Sequence, residues 1–278
     1  MKDVIFKGVG TAIVTPFTNE NKINYEVFKR LIDFQIENKI SAIVVCGTTG
    51  ESATLSDSER KELIKFTVEY VNKRCKVIAG TGSNNTAYAV ELTKYAESVG
   101  CDGALVVTPY YNKCTQYGLI MHYSRIAEST SLPIILYNVP SRTAVNIEPK
   151  TCFELSKIKN IVAIKEASSN ISQIAETISL CKENLNVYSG NDSEIIPIMA
   201  LGGIGVISVL SNIKPKLTSD LCNYCLKGDF ESARILQLES LPLIKSLFLQ
   251  PNPIPVKYAL NNIGFNVGLP RLPLTNMS

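Results

Sequence analysis

Lys165 is the residue from which a chemistry can be read. It ends the apolar run Ile161-Val162-Ala163-Ile164 and is followed by Glu166. Burial disfavours the charged form of an amine, and a lysine lowered from about 10.4 to ~7–8 supplies free base near neutrality. Such an amine condenses with a ketone to give a Schiff base. A lone lysine there could equally snorkel out of a strand end or pair with Glu166. Its company makes the difference. Thr48 and Thr49 lie between Gly47 and Gly50, directly after the run Ala42-Ile43-Val44-Val45-Cys46. Hydroxyls and free backbone N–H groups there can hold a carboxylate without bringing a cation near Lys165. Alone, Gly47-Thr48-Thr49-Gly50-Glu51 also fits an ordinary strand-to-helix turn. Tyr137 ends a further run and could pass a proton, or fill a core with its hydroxyl on a backbone partner. Arg142, in Tyr137-Asn138-Val139-Pro140-Ser141-Arg142-Thr143, could grip a second carboxylate through two parallel hydrogen bonds, although exposed loop arginines are common.

These groups need a scaffold. Short apolar runs at residues 10–15, 42–45, 76–80, 104–108, 134–138, 161–165, 186–189 and 205–209 read as strands. Amphipathic segments separate them: Phe28, Leu31, Ile32 and Ile36 share one helical face, Leu63, Phe66 and Tyr70 another, and Tyr88, Leu92, Tyr95 and Val99 a third. Ser56-Asp57-Ser58-Glu59 is a capping box, and Asn170 with Gln173 a weaker one. Fully apolar strands alternating with helices fit a parallel sheet covered on its outer face. An open doubly wound sheet and a closed barrel compete. The absence of a Gly-x-Gly-x-x-Gly turn weakens the first, and eight units favour the second. The expected fold class is therefore α/β, a (β/α)8 TIM barrel over residues 1–228. A C-terminal helical extension over 229–278, broken at Pro251-Asn252-Pro253-Ile254-Pro255, shows no core of its own. In such a barrel function collects at the carboxyl ends of the strands. Those ends carry Thr15, Gly47 to Glu51, Gly80-Thr81-Gly82, Thr108 to Asn112, Tyr137-Asn138, Lys165-Glu166 and Ser189-Gly190-Asn191-Asp192.

Composition removes other classes. With 45% hydrophobic and 19% charged residues the chain carries a substantial core and is not disordered. A net charge of +3, no basic run and no tryptophan leave no nucleic-acid footprint. The uncharged stretch 195–213 contains Pro197, Gly202, Gly203 and Gly205, so it reads as a short helix, a turn and a buried strand rather than a membrane span. The N-terminus is charged within its first residues and lacks an apolar signal core. The 8 cysteines are scattered, several within apolar runs, as reduced thiols of a cytoplasmic protein would be. Cys222-x-x-Cys225 lacks a second ligand pair and sits in helical context, so no metal or redox role is assigned to it. His122, the only histidine, is expected to be a surface or packing residue.

Together the motifs Gly-Thr-Thr-Gly-Glu (47–51), Pro-Tyr-Tyr-Asn (109–112), Tyr-Asn-Val-Pro-Ser-Arg-Thr (137–143), Lys-Glu-Ala-Ser (165–168) and Gly-Gly-x-Gly-Val-Ile-Ser-Val (202–209) resemble those of the dihydrodipicolinate synthase family of pyruvate-dependent Schiff-base enzymes. The resemblance extends from about residue 8 to residue 264. It implies that Lys165 forms the Schiff base with pyruvate and that Thr48, Tyr137 and Tyr111 relay protons, Tyr111 in a neighbouring subunit's site. It implies further that Thr49 holds the pyruvate carboxylate and Arg142 that of aspartate 4-semialdehyde, with Gly190 and Ile207 lining the pocket. Neither a metal nor a diffusible cofactor is implied, and a homotetramer of two tight dimers is. Tyr110 and Tyr111 as a stacked hydrophobic pair is the simpler alternative to a shared-site tyrosine.

Within the same group a sialic-acid-type lyase uses a similar lysine and tyrosine; Thr48 and Arg142 favour the synthase. A catalytically silent barrel kept for binding is the alternative from another class, and the joint presence of Lys165, Tyr137 and Thr48 argues against it. Ser52, Ala53, Asn84 and Tyr110 match the pattern of a lysine-binding regulatory pocket. Asp57 and Arg60 stand where that pattern often has histidines, and Tyr88 where it has a glutamate that grips the ammonium. Losing a carboxylate and adding a cation weakens binding of a cationic ligand, so weak or absent feedback inhibition is expected.

Overall fold

The computed structural model describes residues 2–278. Its strands are β1 (Gly8–Ala12), β2 (Ala42–Val45), β3 (Lys76–Gly80), β4 (Gly103–Val107), β5 (Ile134–Asn138), β6 (Ile161–Glu166), β7 (Asn186–Ser189) and β8 (Gly205–Ser208). The helices are α1 (Tyr25–Glu37), α2 (Asp57–Val71), α3 (Thr86–Ser98), α4 (Gln116–Glu128), α5 (Pro140–Thr143), α6 (Pro149–Ser156), α7 (Ile171–Cys181), α8 (Ile195–Ala200), α9 (Pro215–Leu226), α10 (Phe230–Ser246) and α11 (Ile254–Asn262). All eight strands pair in parallel and in chain order, and β8 closes on β1 through Gly8 opposite Gly205. This is the expected (β/α)8 barrel. The closure explains Gly205, since a Cβ there would lie 1.9 Å from the Gly8 carbonyl oxygen.

Strand alternation sorts the core into two layers. Inside the barrel sit Ala42, Val44, Ile78, Leu105, Ile135, Tyr137, Val162, Ala163, Tyr188 and Ile207, closed below by Phe6. Outside, Ile43, Val45, Val77, Ala79, Ala104, Val106, Ile134, Leu136, Ile161 and Ile164 pack under the helices. Phe6 and Tyr188 stack at 4.4 Å, and the Tyr188 hydroxyl donates to the Phe6 carbonyl at 2.6 Å. Local signals set the helix starts. The Ser56–Glu59 capping box is reciprocal. Asn170 accepts from the Gln173 N–H, but the Gln173 side chain turns away to Asn146, so that box is only half formed.

Four expectations shift at their edges, β6 by running on to Glu166. β1 starts at Gly8, because Gly8 pairs with Gly205, and Thr15 leaves the ladder to donate to the Gly50 carbonyl at 2.7 Å. β4 spans Gly103–Val107, and β8 ends at Ser208. The stretch 195–213 forms helix α8, a turn and strand β8. Helix α10 packs on α8 and α9, and Ile244, Leu247, Val256, Leu260 and Val267 belong to the main core. Helix α11 and the segment after it lie over the carboxyl ends of the strands. There Lys257 and Glu51 form a fully buried ion pair at 2.7 Å, and the Arg271 N–H donates to the other Glu51 oxygen at 2.8 Å. All eight cysteines are free; six are buried, Cys75 and Cys114 partly so. Among the described residues no helix is long and apolar enough to cross a membrane.

Candidate active site

A cavity of about 190 Å3 opens at the carboxyl ends of the strands. Lys165 and Tyr137 face into it from β6 and β5, where they are direct partners in the ladder. Lys165 is 5% exposed, and its Nζ lies 4.1 Å from the centroid of the Tyr137 ring. The strand turns Glu166 to the opposite face, where its carboxylate accepts from Asn138 Nδ2 and the Ser168 N–H. Lys165 therefore does not pair with Glu166, and among the described residues no carboxylate lies within ion-pair distance of it. The Tyr137 hydroxyl is likewise left free, whereas the core tyrosines Tyr123 and Tyr188 donate to backbone carbonyls. A cation on an aromatic face, with a free phenol on the same ring, can pass a proton between bound ketone and solvent.

Opposite them, the loop after β2 is wound tightly: Gly50 N–H donates to Gly47 O at 3.1 Å and Glu51 N–H to Thr48 O at 3.0 Å. The Thr48 and Thr49 N–H groups make no hydrogen bond within the described chain, and both residues border the cavity. Thr49 is 2% exposed, and its Oγ1 accepts from Asn252 Nδ2 at 2.9 Å, so its own hydroxyl proton remains available. Two backbone donors and a hydroxyl make a nest for a carboxylate. On the rim Arg142 is exposed, with one guanidinium nitrogen directed at the Asn252 carbonyl at 3.4 Å. Gly190 borders the cavity, and a Cβ there would come within 2.7 Å of the Ala167 Cβ and 2.8 Å of the Glu166 carbonyl oxygen. Beneath, the Asp192 carboxylate is buried and accepts from the Val209 and Leu210 N–H groups and the Ser208 hydroxyl. Burial pushes its carboxyl up, and the hydrogen bonds and the charge of Lys165 oppose that.

Not every expected residue gathers here. Ile207 is fully buried inside the barrel and does not border the cavity, which Val209 reaches instead. Tyr111 is 90% exposed with φ of 74° and does not border this chain's own cavity. A second cavity of about 330 Å3 adjoins the first and is bordered by Ser52, Ala53, Arg60, Tyr110 and Arg142. Asn84 lies outside it, its carbonyl accepting from Asn112 Nδ2. Asp57 and Tyr88 are bound to each other at 2.8 Å, and Lys61 takes the other Asp57 oxygen at 2.9 Å. Arg60 is buried and donates to the Gly80 carbonyl at 2.7 Å. His122 is buried too, packed edge-on against Tyr123 with Nδ1 on Thr86, and burial pushes it down to about 4.

Sequence reasoning missed Asn252 and the Lys257–Glu51 pair. Asn252 sits between two prolines that read only as a helix break, and no spacing rule links it to Thr49, 203 positions away.

A family profile described as the dihydrodipicolinate synthetase family matches residues 5–278. The 4-hydroxy-tetrahydrodipicolinate synthase of Caldicellulosiruptor saccharolyticus is 57% identical over 274 residues, covering 99% of this chain and 92% of the relative. That of Acetivibrio thermocellus is 57% identical over 278 residues, covering 100% and 94%. The solved dihydrodipicolinate synthase of Aquifex aeolicus superposes with a TM-score of 0.96 at 47% identity, over 98% of this chain and 93% of that one. The Thermotoga maritima enzyme gives 0.96 at 46%, over 99% and 94%.

Proposed function

The chain belongs to the dihydrodipicolinate synthetase family, and on that premise we propose that it is a 4-hydroxy-tetrahydrodipicolinate synthase condensing pyruvate with aspartate 4-semialdehyde. The observation that carries the reading is the buried Lys165, without an ion-pair partner among the described residues, beside the Tyr137 phenol and sharing its cavity with Thr48 and Thr49.

Pyruvate places its carboxylate on the Thr48 and Thr49 N–H groups and the Thr49 hydroxyl. Its keto carbon then faces Lys165 Nζ. Attack gives a carbinolamine, and the Tyr137 phenol, with Thr48 and Tyr111, moves the proton that lets water leave as the imine forms. Loss of a methyl proton gives an enamine, whose terminal carbon attacks the aldehyde. Arg142 holds the carboxylate of that second substrate. The amine of the adduct closes on the imine carbon, and Lys165 is released. No metal or diffusible cofactor enters these steps.

Tyr111 completes the relay in a second subunit, which explains a tyrosine held 90% exposed on a left-handed backbone. The working assembly is a homotetramer of two dimers. Eight unpaired cysteines suit a reducing cytoplasm, where the protein works with small-molecule partners and neither nucleic acid nor membrane.

A steady-state assay decides. Pyruvate and aspartate 4-semialdehyde are consumed together, and sialic acid is not cleaved. Cleavage of a sugar acid without condensation would transfer the chain to the lyase reading, and no turnover of either would favour a silent barrel.

A further inference from the structure

Directly behind Tyr137 and Lys165 lies a second cross-strand pair, Asn138 and Glu166, opposite each other in the same register on the outer face of β5 and β6. Both are buried, at 0% and 1% exposure. Asn138 Nδ2 lies 3.1 Å from each Glu166 oxygen. The same amide nitrogen donates to Asn146 Oδ1 at 2.9 Å, and Asn138 Oδ1 accepts from the Ile147 N–H at 3.0 Å. Asn138 thus spans and closes the segment that carries Arg142. Glu166 accepts the Ser168 N–H at 2.8 Å and so closes the turn that places Ala167 on the cavity wall. No cation lies within ion-pair distance of Glu166 among the described residues, so neutral donors alone hold this carboxylate.

A buried carboxylate without a counter-ion is costly, and a leucine or valine would fill the outer face of a barrel strand at less cost. What the pair supplies is geometry. Two neutral donors, the Asn138 amide nitrogen shared by both oxygens and the Ser168 N–H, converge on one carboxylate, and the one amide reaches both β6 and the rim segment. The strand ends bearing the cavity's amine, its phenol and its arginine are thereby fixed to one another.

We propose that Asn138 and Glu166 are positioning residues that lock Lys165 against Tyr137 and hold the Arg142 segment at the rim. They touch no substrate and act through the residues next to them in the chain. The proposal rests on the reading of Lys165 and Tyr137 as the reacting pair. Small displacements at a reacting centre cost ~10²-fold in rate, so the pair acts on rate far more than on fold.

The test is rapid-quench trapping of pyruvate on the enzyme with borohydride, read by mass spectrometry beside kcat and Tm. Glu166→Gln and Asn138→Ser are expected to slow trapping and turnover by about 10- to 100-fold. The exchange Glu166→Gln/Asn138→Asp moves the carboxylate to the other strand. With the Asn146 and Gln173 amides turned over, it restores every donor–acceptor match except the one between position 138 and the Ser168-bound oxygen, so it recovers part of the lost rate. A role in packing alone would lower Tm and leave the trapping rate of the folded variants at the wild-type value, and that result overturns the proposal. So does an exchange variant no faster than the slower single variant. If the single variants do not fold, Asn146→Ala, half-buried at the outer end of the network, decides: slower trapping at unchanged Tm supports the lock, and wild-type trapping contradicts it. Absence of any adduct in the wild type would instead remove the Schiff-base reading itself.

Discussion

The Nζ of Lys165 stands 4.1 Å from the centroid of the Tyr137 ring, and the two residues are direct partners on neighbouring strands of the barrel. The π-face offers a cation a partner that neither takes its proton nor blocks its lone pair once deprotonated. The strand carries Glu166 to the opposite face, so adjacent residues in sequence serve separate environments.

Tyr137→Phe separates the ring from its hydroxyl. The aromatic face remains, so the fold and pyruvate KM change little, whereas kcat falls by about 10²- to 10⁴-fold through loss of the proton relay. Steady-state kinetics with a melting curve checks this; unchanged kcat would make Tyr137 a packing residue.

Lys257→Met tests how the C-terminal segment supports the loop after β2. Lys257 and Glu51 are each 1% exposed, and burial pushes the Lys257 amine down against the opposing pull of Glu51. Removing the cation strands the Glu51 carboxylate and costs about 3–5 kcal/mol, measured by urea unfolding. Because Glu51 ends the turn that presents Thr48 and Thr49, pyruvate KM rises in the same variant.

These cases mark what was legible. The barrel could be read because its strands are apolar on both faces and separated by capped helices. Lys165, Tyr137, Thr48 and Thr49 could be found because a barrel puts polar strand-end residues in one place. Asn252 and Lys257 escaped because nothing local marks them; their partners Thr49 and Glu51 lie at the other end of the chain, and only the return of α11 over the barrel mouth joins them. The role of Glu166 was open for a related reason: its neighbour Lys165 suggested a pair that strand alternation forbids.

His122 sets a pH response of the fold. Its imidazole is held neutral by burial at about 4, below the ordinary value near 6.5. The unfolded chain therefore binds the extra proton between those values, and stability falls as pH drops from about 6.5 toward 4. The loss attributable to this group reaches about 3 kcal/mol at the lower end. Urea midpoints across that window are expected to show the slope in the wild type and a flatter profile in His122→Gln; equal slopes would contradict the assignment.

Feedback by lysine is expected to be weak or absent. Asp57 is already held by Lys61 and Tyr88, Tyr88 offers no carboxylate, and Arg60 puts a buried cation beside the second cavity. A lysine ammonium meets no free anion there. Turnover in millimolar lysine is expected to stay near that of the control, and strong inhibition at submillimolar lysine would refute the point.

Covalent capture of pyruvate by Lys165 leaves a mass that can be weighed directly. Wild type and Lys165→Ala are incubated with pyruvate and borohydride, and the intact proteins and their peptides are weighed by mass spectrometry. One reduced pyruvate adduct per chain is expected, located on Lys165 and absent from the variant. A folded wild type that gains no mass, or an adduct on another residue that persists in Lys165→Ala, would contradict it.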